Sequence, residues 1–451
     1  MRILVIGLDG AAPELLFGDE RLVNVRRMMD AGTYGRLESV VSPTTVPAWM
    51  CMGTGQDPGT LGVYGVRNRA DHSYDGLQAV HSRSIHASAV WDEVARAGKK
   101  SLVLGVPPNF PPRTPDTSQD VFTRTGDQAK RRDDLQALTR AQFAAARQAL
   151  RRDDWDFFQF VALGLDRIQH AFWRHHDPDH VRHEPDSPYR DVIRDHYRSL
   201  DEEIGGLLEL LDEETVVLIA SDHGVRPLDG GFCINEWLIR EGLLTLHSYP
   251  ETVTPFSRLD VDWGRTVAWS EGGDDAGVFL NVKGREPRGS IEQGDYTRVR
   301  DDLKARLEAT TGPDGAPLGT LVFRPEEVYR SVRNVAPDLI VHFGALAWRS
   351  VGGVGRPTVH ILDNDNGLDD CNHAQHGAFV LAGPNVAGRG MVAGAHLLGV
   401  APTLLELGGY DVPPSMRHHA PIASRENRPD GPSDDGAALV LERLRGLGYI
   451  G

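Results

Sequence analysis

The sequence predicts an α/β fold: a mostly parallel central sheet flanked by helices, with a smaller α+β insertion. Three observations carry this prediction. Short apolar runs without polar alternation recur along the chain and each leads into a loop; helical stretches separate them; and residues 254–335 break the pattern. An apolar run of strand length with no polar alternation suits a strand buried on both faces, as in parallel sheets covered by helices on either side. Strand and helix in alternation point to a doubly wound sheet.

The runs, in order, are "RILVIGLDG" (2–10), "SLVLGVPPN" (101–109), "FFQFVALGLD" (157–166) and "TVVLIASDHG" (215–224). Between them, "RAQFAAARQALRR" (140–152) and "DVIRDHYRSLDEEIGGLLELL" (191–211) read as helices. The later runs "DLIVHF" (338–343) and "GAFVLAG" (377–383) are expected to join or extend the same sheet. Residues 254–335 contain "TVAWSEGG", "GVFLNVKGRE" and the helix-like "DYTRVRDDLKARLEATTG". The expected organisation is a discontinuous core, 1–253 and 336–421, with an insertion or cap at 254–335. A polar Pro/Gly/Asp linker and a short C-terminal helix follow at 422–451.

Of the 451 residues, 40% are apolar and 25% charged, enough for a sizeable core. The net charge of −16 argues against a nucleic-acid polymer or an anionic membrane as partner, since both need a basic surface. An anionic substrate would therefore require local positive charge, from a metal or from arginines; Arg67, Arg69, Arg83 and Arg124 are candidates, although such arginines are commonly surface residues. Cys51, Cys233 and Cys371 lie far apart with no CxxC pair, against a disulfide framework or a thiolate zinc site. The opening apolar run is five residues long, too short for a signal-peptide core, and no stretch approaches the ~20 apolar residues of a membrane span. A cytoplasmic protein is expected, and nothing in the sequence sets its oligomeric state.

In open parallel sheets ligands bind beyond the carboxyl ends of the strands. Asp9 follows the first run; Asp166 and, four residues on, His170 follow the third; Asp222 and His223 follow the fourth; His373 and His376 stand just before "GAFVLAG". Carboxylates and imidazoles together suit hard-to-borderline divalent metals. The i, i+4 spacing puts Asp166 and His170 on one helical face, where both can hold one ion. Each piece has a plainer reading: a lone Asp after a strand is usually a helix cap, and an Asp-His pair before Gly is often a turn. The recurrence of such groups at independent strand ends favours a site. His175, His176, His180 and His183 read as solvated surface residues.

A hydroxyl beside two cations becomes a nucleophile near neutral pH. In "SPTTVPAWM" (42–50), "VPAWMCMGTG" reads as a helix start with Pro47 in the first turn. Thr45 is the better candidate for the cap position, where backbone N–H groups and the helix dipole favour a phosphoryl group. Thr44 is expected to point elsewhere.

These residues resemble the alkaline phosphatase superfamily, specifically its type I phosphodiesterase/nucleotide pyrophosphatase branch. The segments are "VIGLDG", "SPTTVPAW", "TGQDPGTLGVYG", "GLDRIQHAFW", "SDHG", "NEWLIREGLL", "FLNVKGRE", "APDLIVHF", "NHAQHGAFVLAGP" and "VAPTLLELGG", which span roughly 3–410 in family order. The resemblance implies an alkaline-phosphatase-like sandwich and two divalent metal ions, zinc first and manganese as the alternative. One ion would be held by Asp9, Thr45, Asp222 and His223, the other by Asp166, His170 and His373. Thr45 would attack phosphorus in line and form a phosphothreonine intermediate, which water hydrolyses. His376 becomes a neighbour that faces substrate or supports a ligand. The family's asparagine three residues after the nucleophile is Ala48 here, and Asn109 is the candidate substitute. Leu61, where relatives often carry histidine, reads as packing.

The resulting expectation is a two-metal phosphohydrolase acting on a small-molecule phosphate ester or diester. A phosphomonoesterase or phosphonate hydrolase on the same site is the alternative. Mutase relatives use serine, and sulfatases need a convertible cysteine or serine with a nearby arginine, so Thr45 and "TTVPAW" argue against both. A non-catalytic metal-binding homologue would be expected to have lost a ligand or the nucleophile, and none is missing. The insertion and the loops at 60–90 and 110–135 are expected to cover the site.

Overall fold

The computed structural model describes residues 1–108, 127–152, 154–362, 369–417, 419 and 422. Asn109, Arg124 and nearly all of 422–451 lie outside them. Six strands carry the central sheet: β1 (Arg2–Leu8), β2 (Thr33–Glu38), β3 (Ser101–Leu104), β4 (Phe157–Ala162), β5 (Thr215–Ala220) and β6 (His376–Ala382). Their spatial order is β2-β6-β5-β1-β4-β3, and the two-residue strands Gly390–Met391 and Ala395–His396 pair with β2. The pairs β3–β4, β4–β1 and β1–β5 are parallel, whereas β6 runs antiparallel to both β5 and β2.

The unalternating runs are explained by burial on both faces. Along β1, Leu4, Ile6 and Leu8 enter one core while Ile3 and Val5 enter the other. β4 divides in the same way, with Phe158, Phe160 and Ala162 against Phe157 and Val161. Helices cover both faces: Gly164–His176 and Val192–Leu208 on one, Thr45–Thr54 and Val400–Gly408 on the other. Strand alternation thus survives, but both sets of side chains are apolar.

A second lobe has its own core, drawn from Phe232 to Trp348. It is built on a four-stranded antiparallel sheet in the order Ala268–Ser270, Ala276–Leu280, Leu339–His342, Leu321–Phe323, with the helix Tyr296–Glu308 packed on it. The run "DLIVHF" therefore does not extend the central sheet as expected; it is an inner strand of this second one. Its apolar signature reflects burial, which a second core supplies as well as the first. The run "GAFVLAG" does join the central sheet, as β6. Among the described residues, no helix is long and apolar enough to cross a membrane.

Candidate active site

The sequence-predicted ligands converge at one end of the central sheet. Asp9 directly follows β1 and is 2% exposed; its N–H donates to the carbonyl of Ala162 at the end of β4. Gly10 next to it has φ +66, and a Cβ there would lie 2.8 Å from Asp166 Oδ1. Both the left-handed backbone and the close approach require glycine. The Gly10 N–H donates to Asp222 Oδ1 at 3.2 Å, and the Ser39 hydroxyl donates to the carbonyl of Asp222 at 2.6 Å. Gln169 Nε2 donates to the carbonyl of Gly10, and Tyr197 donates to Gln169 Oε1. Loops after three neighbouring strands are thereby tied together behind the carboxylates.

Asp166 and His170 lie on the helix that follows β4, with His170 Nε2 3.3 Å from Asp166 Oδ1. Asp222 and His223 follow β5; His223 Nε2 is 3.3 Å from Asp222 Oδ2 and 3.5 Å from Asp9 Oδ1. His373 enters on the short strand Cys371–Ala374, antiparallel to Gly224–Pro227 with His373 opposite Val225. Its Nε2 is 4.0 Å from Asp166 Oδ1, and its ring stacks on that of His223 at 3.8 Å. Among the described residues, two groups have ligand atoms close enough to share an ion: Asp9, Asp222 and His223, and Asp166, His223 and His373; the expected ligand His170 falls in neither, although its Nε2 is near Asp166. His223 borders both.

Thr45 Oγ1 lies 3.3 Å from His223 Nε2. The cap of its helix is Thr44, which is buried and extended (φ −110, ψ 137), so Thr45 is the first helical residue and not the cap expected from Val-Pro. A threonine in extended conformation satisfies the cap backbone requirement without using its hydroxyl. Thr45 keeps its place beside the first-turn N–H groups, which have no intrahelical acceptor.

Each histidine is oriented through its other nitrogen. The Nδ1–H groups donate to oxygen acceptors: Asp369 Oδ1 for His170 at 2.5 Å, the Pro43 carbonyl for His373 at 2.8 Å, and the Gly224 carbonyl for His223 at 2.9 Å. All three Nε2 atoms are thereby free to act as ligands, as in metal sites where outer partners fix the tautomer. Asp9 Oδ1, Asp166 Oδ1 and Asp222 Oδ2 are buried and accept no hydrogen bond. Buried carboxylate oxygens without donors are costly, and a cation relieves that cost. The residues present fit divalent metals.

The electrostatics agree. Burial, reinforced by the charges of Asp222 and Asp166, pushes the Asp9 carboxyl well above its ordinary range. Burial also raises Asp222, against the Gly10 N–H that stabilises its charge. For Asp166, burial is outweighed by His170, His373 and His223, which hold it below the usual range. Burial and the neighbouring His223 depress His373 to about 4, which keeps it neutral. For His170, burial is outweighed by the Cys371 sulfur and by Asp166 and Asp369, and its pKa is raised. Three crowded carboxylates make the empty site acidic, so bound cations would be needed before it could hold an anion.

The remaining candidates divide. His376 opens β6 and lines a cavity of about 480 Å³ with Arg36, Arg226 and His342, bordered by none of the seven ligands. Asn109 lies outside the described residues. Ala48 and Leu61 are buried in the core beneath the helix. Arg67 and Arg83 are exposed, but Arg69 is buried, 3.7 Å from Glu286 Oε1 and packed over Trp269 and Phe279. His175 and His180 are buried at 1% and 4% exposure, contrary to the surface reading; His180 Nε2 donates to the carbonyl of Asp370 at 2.9 Å. That partner is remote in sequence, so composition alone does not reveal it. Asp369, Asp274 and Arg349, which back the histidines, carried no sequence signal beyond the proximity of Asp369 to His373.

The sequence matches the family model described as type I phosphodiesterase / nucleotide pyrophosphatase over residues 3–378. Among solved structures, the fold is similar to murine ectonucleotide pyrophosphatase / phosphodiesterase 5, with TM-score 0.55 and 14% identity over 92% of this chain and 96% of that one. The same protein as an inactive threonine-to-alanine variant in complex with AMP gives the same values. The human counterpart is similar at TM-score 0.55 and 14% identity, over 93% of this chain and 97% of that one. No curated protein matches the sequence.

Proposed function

The chain belongs to the type I phosphodiesterase/nucleotide pyrophosphatase family and is a phosphoric-ester hydrolase, and on that premise we propose that it cleaves a small-molecule phosphodiester through a phosphothreonine intermediate on Thr45. Two divalent ions, zinc first and manganese second, would be held by Asp9, Thr45, Asp222 and His223 and by Asp166, His170 and His373. The observation that carries this reading is the set of three buried carboxylate oxygens without hydrogen-bond donors beside Thr45 and three histidines whose Nε2 atoms face them.

When bound, the cations lower the pKa of the threonine hydroxyl and offset charge on the phosphoryl oxygens. Thr45 Oγ1 gives up its proton to solvent and forms the new bond to phosphorus while the bond to the leaving oxygen breaks, and that oxygen takes up a proton from solvent. Water then attacks phosphorus, the Thr45 Oγ1–P bond breaks and the hydroxyl is restored. The first turn of the helix adds its N–H groups and dipole, favourable to the phosphoryl oxygens. Two successive in-line attacks predict retention of configuration at phosphorus.

A second reading, hydrolysis of a phosphomonoester or phosphonate on the same site, is favoured by Ala48. Its methyl is fully buried and offers no amide to a phosphoryl oxygen. Turnover of an aryl phosphodiester, the matching monoester and an aryl phosphonate, with zinc or manganese, separates the two readings. Faster diester cleavage supports the first and faster monoester or phosphonate cleavage the second. Undiminished cleavage by Thr45→Ala would refute both.

A further inference from the structure

Behind the ligands lies a group of charged side chains that the reaction does not itself use. Arg349 Nη1 lies 2.7 Å from Asp369 Oδ2 and 2.8 Å from Asp274 Oδ1. The other oxygen of Asp369 receives the His170 Nδ1–H at 2.5 Å, and the other oxygen of Asp274 lies 3.8 Å from His373 Nδ1. A single guanidinium nitrogen therefore joins the two carboxylates that stand behind two different histidines.

Each element of this group is held by backbone. Arg349 lies on the strand Trp348–Val351, which pairs in parallel with Gly230–Cys233. Gly273 and Ser350 exchange N–H to carbonyl hydrogen bonds of 2.9 and 3.0 Å, which sets Asp274 beside Arg349. The Asp370 N–H donates to the carbonyl of His170 at 2.8 Å, pinning the neighbouring Asp369 to the helix it serves. The three side chains are only 12%, 8% and 22% exposed, so water screens them weakly.

We infer that Arg349 is a positioning residue: by bridging Asp369 and Asp274 it fixes His170, and with it the ion that His170 would hold, and leaves the Asp9/Asp222/His223 half unaffected. Without the arginine, two carboxylates behind neighbouring histidines lose the charge they share and repel. Asp369 would then swing and carry the His170 ring with it. His223 and His373 have no such dependence, since their Nδ1–H groups donate to the carbonyls of Gly224 and Pro43. Outer partners of metal-bound histidines typically contribute 10–100-fold in metal affinity. The inference rests on the two-metal reading proposed above.

The test uses the full chain, zinc as the probe, and zinc per chain with chelator-competition affinities as the readout. Wild type is expected to hold two zinc ions, and His170→Ala to identify the weaker-held one by losing it. Arg349→Met should weaken that same ion by about 10–100-fold and leave the other at wild-type affinity. Arg349→Lys should recover most of the loss, because one ammonium can stand where one nitrogen serves both carboxylates. If Arg349→Met does not fold by circular dichroism, Asp274→Asn decides, with the same ion weakened by about 10-fold. Wild-type affinity at both sites in the deciding variant, equal weakening of both, or a lysine no better than methionine overturns the inference. A wild type that holds fewer than two zinc ions overturns the two-metal reading itself, and the inference with it.

Discussion

Asp9, Asp222 and His223 stand at the ends of adjacent strands and lean on backbone, through the Gly10 N–H and the carbonyl of Gly224. His170 leans on a carboxylate, with Arg349 and Asp274 behind it, and Asp274 comes from between two strands of the second lobe. The residue types in the two halves are the same, but the supports differ. One half is built into the central sheet, whereas the other is completed by side chains that the second lobe brings up to it. Thr45, the proposed nucleophile, lies with the first half, 3.3 Å from His223 Nε2.

Several substitutions break this comparison at different depths. Thr45→Ala should have the largest effect, a fall in aryl phosphodiester turnover on the order of 10⁴-fold or more, with the ion of the sheet-borne half held more weakly by its three remaining ligands. Rates taken at saturating zinc beside a zinc analysis check this, and turnover restored by added zinc would make Thr45 a ligand and not the nucleophile. Asp222→Asn should lower turnover on the order of 10³-fold and cost the ion of the sheet-borne half. His170→Ala should cost the other ion, so equilibrium dialysis reads out the two halves separately.

Gly10→Ala sharpens the comparison by straining the seam between the two halves, where the loop after β1 meets Asp166, without removing a candidate ligand. With φ +66 and a Cβ 2.8 Å from Asp166 Oδ1, it should destabilise the fold by about 1–3 kcal/mol. Urea unfolding measures this. The smallest expected effect lies outside both halves. Burial depresses His196 to about 4, below its ordinary 6.5. Its contribution to stability is complete above pH 6.5 and is lost as pH falls toward 4, where the folded form also takes the proton. Urea midpoints should therefore drop between pH 7 and pH 5, and less so in His196→Gln. A drop in turnover over that range that exceeds the drop in stability belongs to the site.

Much of this architecture was legible in the sequence, for physical reasons that also explain the gaps. β1, β4 and β5 are buried on both faces and appear as apolar runs. β2 escaped notice because its buried and half-buried residues alternate, with Tyr34, Arg36 and Glu38 on the more open face. Leu339–His342 reads like a central strand because apolar character records burial and not the identity of the sheet. The ligands stand out because strand ends gather carboxylates and histidines from far apart in the chain. Arg349, Asp274 and Asp369 act through space, at no regular spacing, so no periodicity or motif marks them.

The strand that delivers His373 docks antiparallel against Gly224–Pro227, late in a chain whose other ligands all precede residue 224. Synthesis from the amino end therefore presents Asp9, Thr45, Asp222 and His223 before the 150 residues that end at His373, including those of the second lobe, have been made. On the two-metal reading proposed above, the remaining ion would be captured only after that lobe has been made and Cys371–Ala374 has closed onto its partner. The order in which the chain is made would then also be an order of metal loading.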